Sequence, residues 1–435
     1  MLSSVLFALI LGAGIWFFYT SIRKIIRNIN LGRDVQINDR KSERWATMFR
    51  VALGQSKMVT RPVAGFFHII IYAGFIIINI EVLEIIIDGL FGTHRVFANL
   101  LGPFYDFLIA SFEILALLVV VACVVFFARR AIIRLRRFTS PELKGFPNKD
   151  AMIILGTEVV LMSLFLFMNA SDSLLQQRGV DHYVQAGSFP ISSFLNPLLA
   201  GMGDQSLIMV ERVCWWLHII GILAFLNYVP FSKHFHIFLS FPNVWYSKLD
   251  AKGKFSNNEA VANEVRLMMD PSAVPPPPSD TPTPFGAKDV KDLTWKNLMD
   301  AYSCTECGRC TSSCPANITG KKLSPRKVMM DTRDRLEEVG RNHDKHGANH
   351  DDGKTLLNDY ITPEELWACT TCNACVEACP VNIDPLSIIV EMRRYLVMEQ
   401  SAAPTELNGM FTKIENNGAP WQFSQADRMN WTQEG

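Results

Sequence analysis

The feature that most constrains this chain is a set of five apolar stretches, running roughly over residues 2–20, 63–87, 104–128, 151–169 and 207–230. A helix needs about 20 consecutive apolar residues to cross the hydrocarbon core of a bilayer. No water is available there to satisfy backbone N–H and C=O groups, so stretches of this kind fold as helices. The first stretch raises the question of a cleaved leader. Its start, Met1-Leu2-Ser3-Ser4, lacks a basic n-region and four more spans follow it, so a retained helix is expected.

Charge in the connecting loops sets the orientation. Loop 21–61 carries ten Lys and Arg and loop 129–150 carries seven, whereas the opposite loops carry only Arg95 and Arg178. The positive-inside rule then places the N-terminus outside and everything after the fifth span in the cytoplasm, with the chain held in the cell inner membrane. The 42 basic and 42 acidic residues cancel, and no basic stripe is interleaved with aromatics, so a nucleic-acid partner is excluded.

Beyond the spans the composition changes. His234 to Lys248 is aromatic and basic, and Trp245 and Tyr246 suit the headgroup layer. Residues 256–270 read as a short amphipathic helix. Residues 271–284 include seven prolines, which favour extended polyproline II and mark a domain boundary. The expected domains are a membrane part over 1–240, a linker over 241–288, a soluble domain over 289–400 and a tail over 401–435. The soluble part reads as helical over 289–302, 324–340 and 386–399. Thr362-Pro363-Glu364-Glu365 has the N-cap, N1 and acidic first-turn chemistry of a further helix start. The fold class is therefore all-α.

Eight of the ten cysteines lie in two matching runs. The first is Cys304-x2-Cys307-x2-Cys310-x3-Cys314-Pro315 and the second is Cys369-x2-Cys372-x2-Cys375-x3-Cys379-Pro380. Each places three thiolates on one tight loop, at three corners of a cubane, while the fourth ligates the other cluster. Two [4Fe–4S] clusters are expected, one on Cys304, Cys307, Cys310 and Cys379, the other on Cys369, Cys372, Cys375 and Cys314. Zinc would take four ligands in two pairs, and a cytoplasmic location disfavours disulfides. Cys123 and Cys214, inside spans, read as small buried hydrophobes.

Fifty-four residues separate Cys314 from Cys369. With helices on both sides, this resembles the α-helical ferredoxin arrangement of succinate dehydrogenase and heterodisulfide reductase subunits.

Histidine within a bilayer points to function. His68 lies two turns into the second span, His218 lies near the middle of the fifth, and His234 and His236 follow its end. Phe67-His68-Ile69, and His218-x17-His236 enclosing Pro230-Phe231-Ser232-Lys233, resemble the cytochrome b gamma subunit of respiratory nitrate reductase and the membrane subunit of heterodisulfide reductase. The resemblance covers most of residues 1–240. It implies a haem b held by His68 and His236 near the cytoplasmic face. In the two-haem gamma subunit a second histidine follows ten residues after the first; here Ile78 stands there, leaving His218 without the partner an outer haem needs. One haem is expected, with His218 the residue on which a second would depend. His234 reads as a headgroup contact, and His343, His346 and His350 as part of a solvated loop. Glu113 and Glu158 read as members of a proton path or quinone site, or else as ion-paired groups of the bundle.

No nucleotide fingerprint, phosphate loop or nucleophile–base pair is present, so no catalytic residue is assigned. The order of parts resembles the fused membrane oxidoreductases related to heterodisulfide reductase, including menaquinone reductases fed by electron-transfer flavoprotein. The resemblance implies an oxidoreductase subunit passing electrons between a cytoplasmic partner and the (mena)quinone pool. It further implies a cysteine-rich partner subunit with Cys-Cys-Gly motifs, docking on the ferredoxin domain and on tail aromatics Phe411, Trp421, Phe423 and Trp431, with electron-transfer flavoprotein as the other candidate partner. A membrane-tethered iron–sulfur sensor or assembly factor is the reading from a different class.

Overall fold

A computed structural model describes residues 2–275, 285–420 and 422–433. Most of the proline-rich run, and Trp421, lie outside the described residues. Five helices are long and apolar enough to cross a membrane: α1 (Leu2–Ile29), α2 (Pro62–Phe91), α3 (Pro103–Ala131), α4 (Phe146–Gln177) and α5 (Asp204–Tyr228). Each runs past the apolar stretch that announces it, because helix propagation continues into the polar flanks once nucleated. Pro62, Pro103 and Pro147 stand in first turns, where the missing N–H costs nothing. Pro230 closes α5 in a single tight turn.

The helices pack as a bundle, with α4 against α5, α3 against α2 and α4, and α1 against α5 and α2. Phe7, Ile109, Phe112, Phe165 and Ile219 form its interior. Many outward-facing side chains are large and apolar, among them Leu9, Phe66, Phe107 and Leu217. In water such a surface would be a liability; around a membrane bundle it is the lipid-facing wall.

After α5 come α6 (His236–Trp245) and, in the cysteine-bearing half, α7 (Trp295–Tyr302), α8 (Pro325–His346) and α9 (Pro385–Arg394). Thr294 and Thr362 each close a reciprocal capping box, with Asn297 and with Glu365. Among the described residues no β-strand forms; only isolated bridges join Arg33 to Thr294 and Leu357 to Ile361.

The two halves are not strung apart. Ile25 and Ile29 of α1, with Val229 and Phe235, belong to one core with Leu293, Leu298, Leu336 and Leu396. Segment 30–61 lies across the soluble half: Arg33 N–H donates to Leu293 O and Trp295 N–H donates to Arg33 O. Gly32 is needed at this crossing, since a Cβ there would stand 2.7 Å from Trp295 N. The basic loops and the cysteine runs thus share one end of the bundle, with Ser3 and Ser4 at the other.

Two local expectations change. Trp245 and Tyr246 do not face a headgroup layer: Trp245 meets Trp45, and Tyr246 packs edge-on against Trp295 at 4.9 Å. His343 and His346 are not in a loop but on the last turn of α8, where basic side chains suit the helix dipole. The tail forms α10 (Thr405–Asn417), which buries none of its residues.

Candidate functional site

The cysteine loops come first. Cys304, Cys307, Cys310 and Cys379 line one small cavity of about 20 Å³, together with Arg309, Met329 and Ile383. This is the crossed set that the doubled run predicts: three thiols from the first loop and the fourth from the second. Cys314 lies with the complementary set, within electrostatic reach of Cys369 and Cys375. The two sets are neighbours, since Cys375 acts in turn on Cys310. Among the described residues no three His, Cys, Asp or Glu side chains converge on a single ion. Four thiols lining one cavity suit a shared polynuclear group.

Backbone shape explains the gathering. In both loops the residue two after the first cysteine and the one four after it take positive φ: Glu306 and Gly308, then Thr371 and Asn373. Alternate left-handed residues curl the chain so that successive side chains turn inward, and strain of this kind persists where surrounding structure enforces it. The Thr371 N–H donates to Cys369 Sγ and the Ile383 N–H to Cys379 Sγ, at 3.4 and 3.3 Å. Burial pushes the Cys304 thiol up to about 11 and Cys379 up to about 12. Left to themselves these thiols stay protonated at neutral pH, so iron binding here must release protons.

Buried and half-buried cations surround the first set. Arg309, only 4% exposed, donates to Lys57 O, Met58 O and Thr60 Oγ1, all neutral. Lys57 Nζ donates to Glu377 O and Cys379 O. Arg137 and Arg130 lie over the Phe138 ring, and each has a buried nitrogen with no partner among the described residues. Arg326 and Arg333, close by, are matched by Glu142 and Glu306. Around the second set Arg393 donates to Cys369 O at 2.6 Å, and Cys372 is exposed.

The histidines stand near the first cysteine loop, whose Arg309 acts on His68. The His68 and His236 rings face each other with centroids 6.4 Å apart. Two imidazoles sharing one iron, with bonds of about 2 Å and about 1 Å more to each ring centre, need roughly 6 Å. His236 Nδ1 lies 3.1 Å from Lys233 O, which fixes the tautomer and leaves Nε2 free. The residues therefore fit an axial pair. His218 is placed otherwise: its Nδ1 is 3.0 Å from Leu161 O and its ring lies against Phe165, while Ile78 is a buried core residue. His234 packs on Phe225 and His236 rather than facing headgroups.

Glu113 is fully buried and accepts from Asn169 and from the N–H groups of Ile191 and Ser192, so it anchors a loop. Arg95, counted from sequence among the loop charges, is buried against Asp172, Asn169 and Tyr105. It borders a polar cavity of about 260 Å³ at the end of the bundle away from the cysteines, with Glu81, His94 and Glu211 in its wall. The scattered acids along α2 gave no sign that they converge. Nor did sequence single out Arg309 or Lys57, although Arg309 stands between two of the cysteines.

Comparison with known proteins decides the nature of the thiol sets: residues 303–383 match the family described as 4Fe-4S dicluster domain. Residues 303–383 are thus a two-cluster iron–sulfur domain. Over 99% of its length the chain is 28% identical to FadF of Bacillus subtilis, a probable iron–sulfur-binding oxidoreductase, and over 92% it is 28% identical to the EtfAB:quinone oxidoreductase of Syntrophomonas wolfei. It spans 61% and 55% of those two relatives. The dicluster region is 36% identical to one subunit of the ferredoxin/F(420)H(2)-dependent CoB-CoM heterodisulfide reductase of Methanosarcina acetivorans, over 24% of this chain and 52% of that one. The homologues of this dicluster protein are thus iron–sulfur oxidoreductases and heterodisulfide reductase subunits. No solved structure matches the chain.

Proposed function

We propose that the chain carries electrons between a soluble redox partner and the membrane quinone pool, through two [4Fe–4S] clusters and one haem b. The observation that carries this reading is adjacency: Arg309 of the first cysteine loop acts on His68, and the segment bearing His236 is tied to the same loop by Lys233 and Glu306. When bound, these groups supply one-electron chemistry. The protein's own work is to hold four thiolates in each loop pair, to orient His236 through the Lys233 carbonyl, and to keep the seam dry.

The excess of Lys and Arg on the loops that meet the dicluster domain supports a cytoplasmic placement of that domain. The relative whose name couples EtfAB to quinone supports quinone as acceptor and electron-transfer flavoprotein as one donor. A cysteine-rich heterodisulfide reductase-like subunit is the other partner, and the exposed Phe423 and Trp431 of the tail suit such an interface.

The test is quinol-driven reduction in isolated membranes. A water-soluble menaquinol analogue should reduce the haem, with loss of the response in His68→Ala. In Cys379→Ser the haem should still reduce while one cluster signal is missing. A haem and clusters inert to quinol would leave redox sensing as the better reading.

A further inference from the structure

We propose that the unpaired cations around Cys304, Cys307, Cys310 and Cys379 hold that cluster at a higher reduction potential than its neighbour, so that electrons entering at exposed Cys372 run toward the span histidines. This rests on the electron-carrier reading above and adds the direction of flow within it.

The argument begins with charge. A cubane held by four thiolates is doubly negative when oxidised and triply negative when reduced, so a nearby positive charge favours the reduced form. Cluster potentials are set by such surroundings. In a medium of effective dielectric near 20, a unit charge at about 7 Å shifts a one-electron equilibrium by more than tenfold.

The two surroundings differ in kind. Lys57, Arg309, Arg130 and Arg137 all act on Cys307 or Cys379. Among the described residues none of the four has a carboxylate within ion-pair distance. Burying a cation without an anion is costly, and an anion at the centre of the group removes the cost. Each set also feels an acid: Glu306 acts on Cys304, and with Asp150 on Arg130, but is matched by Lys233 and Arg333, while in the second set Asp384 acts on Cys375 and Arg393 sits at Cys369. Water at Cys372 works to raise the outer potential, but it reaches one thiol of four. Around the inner set Arg309 is buried and Lys57, Arg130 and Arg137 are half-buried, so these charges are screened less than exposed ones.

The location of the cations gives the gradient its direction. Lys57 and the carbonyls that hold Arg309 immediately precede α2, and Arg130 and Arg137 lie at the end of α3. The favoured cluster is therefore the one against the membrane half. One electron passes per step, oxidising the outer cluster as the inner one is reduced. Two such steps, with two protons, convert a quinone to its hydroquinone.

Equilibrium redox titration of the anaerobically purified full chain, followed by electron paramagnetic resonance, tests this without quinone or partner. The expected result is two reduction waves at least tenfold apart in equilibrium constant, which is about 59 mV for a one-electron couple. Arg309→Gln and Lys57→Gln should each lower the higher wave alone, and Arg393→Gln the lower wave alone. If Arg309→Gln loses iron, Lys57→Gln decides, because that ammonium meets only carbonyl oxygens. A single unresolved wave, or a higher wave that follows Arg393→Gln, overturns the proposal. An intact potential order in a protein whose haem ignores quinol would instead defeat the electron-carrier reading and leave this one standing.

Discussion

Lys233 Nζ and the Glu306 carboxylate form a buried ion pair between the base of the fifth span and the first cysteine loop. Asp150 lies 3.8 Å from the ammonium, Tyr228 and Ser232 donate to Asp150, and Arg333 holds the other Glu306 oxygen. Burial lowers the Lys233 pKa, and Glu306 and Asp150 work against that shift. The Lys233 backbone carbonyl meanwhile fixes His236. One residue thus sets both the height of the cluster loop and the angle of a haem-ligand candidate.

Removing one partner of a buried pair strands the other, at a cost of about 3–5 kcal/mol. Lys233→Met should therefore lower the thermal midpoint of the holoprotein sharply. The double variant Lys233→Met with Glu306→Met should recover part of the loss, since neither ion is left alone. Strictly additive losses would show that the two side chains do not act as a pair.

Crossed ligation makes a prediction that sequence proximity would not. Cys379→Ser and Cys310→Ser should extinguish the same cluster signal, although one lies in each run. Cys375→Ser and Cys314→Ser should extinguish the other. The intact protein should contain close to eight non-haem iron atoms per chain, as two cubanes require. Pairing of Cys379 with Cys375 in such a series would mean that each run fills its own cluster.

Haem content separates His68 and His236 from His218. His68→Ala and His236→Ala should each abolish the b-type spectrum, whereas His218→Ala should retain it because that ring is already engaged by Leu161 O. A pyridine haemochrome assay should give one haem per chain. A value of two would return His218 to the ligands.

Asp331 provides a pH test away from the metal sites. Burial raises its carboxyl to about 6 despite Lys327 at 2.7 Å. The folded value lies above the ordinary 3.8, so the native state binds the proton more tightly. That contribution to stability is complete below pH 3.8 and is lost as pH rises through 6. Relative to Asp331→Asn, the wild type should lose about 2 kcal/mol between pH 4.5 and 7. Thermal midpoints of the two holoproteins across that range measure it; a constant difference would rule out titration at this site.

The spans, the thiol sets and the Thr362 cap were legible because each has a local signature: hydropathy over about 20 residues, a fixed cysteine spacing, a reciprocal Thr–Glu pair. The fate of Trp245 and Tyr246 was not. Amphipathic aromatics beside a span look the same whether they meet headgroups or, as here, Trp45 and Trp295. Arg309 and Lys57 were opaque for a similar reason. A basic residue in a polar stretch reads as solvated, and only tertiary packing shows that carbonyl oxygens, not water, receive its protons. Arg95 counted in the sequence only as a loop charge, because its partner Asp172 lies 77 residues away.

The core shared by Ile25, Ile29 and Leu396 also has a meaning for biosynthesis. The first helix leaves the ribosome with the apolar base of a domain whose last turn follows some 370 residues later. At about 5–20 residues per second the interval is tens of seconds. Within it Ile25, Ile29 and segment 30–61 wait first for Val229 and Trp245, then for Leu293 and Trp295, and last for Leu396. Iron delivery falls at the end of the same interval, since Cys314 and Cys379 each complete a set begun on the other run. The bundle is inserted long before it is closed, and the nascent chain depends on whatever shields that base until the second cysteine run arrives.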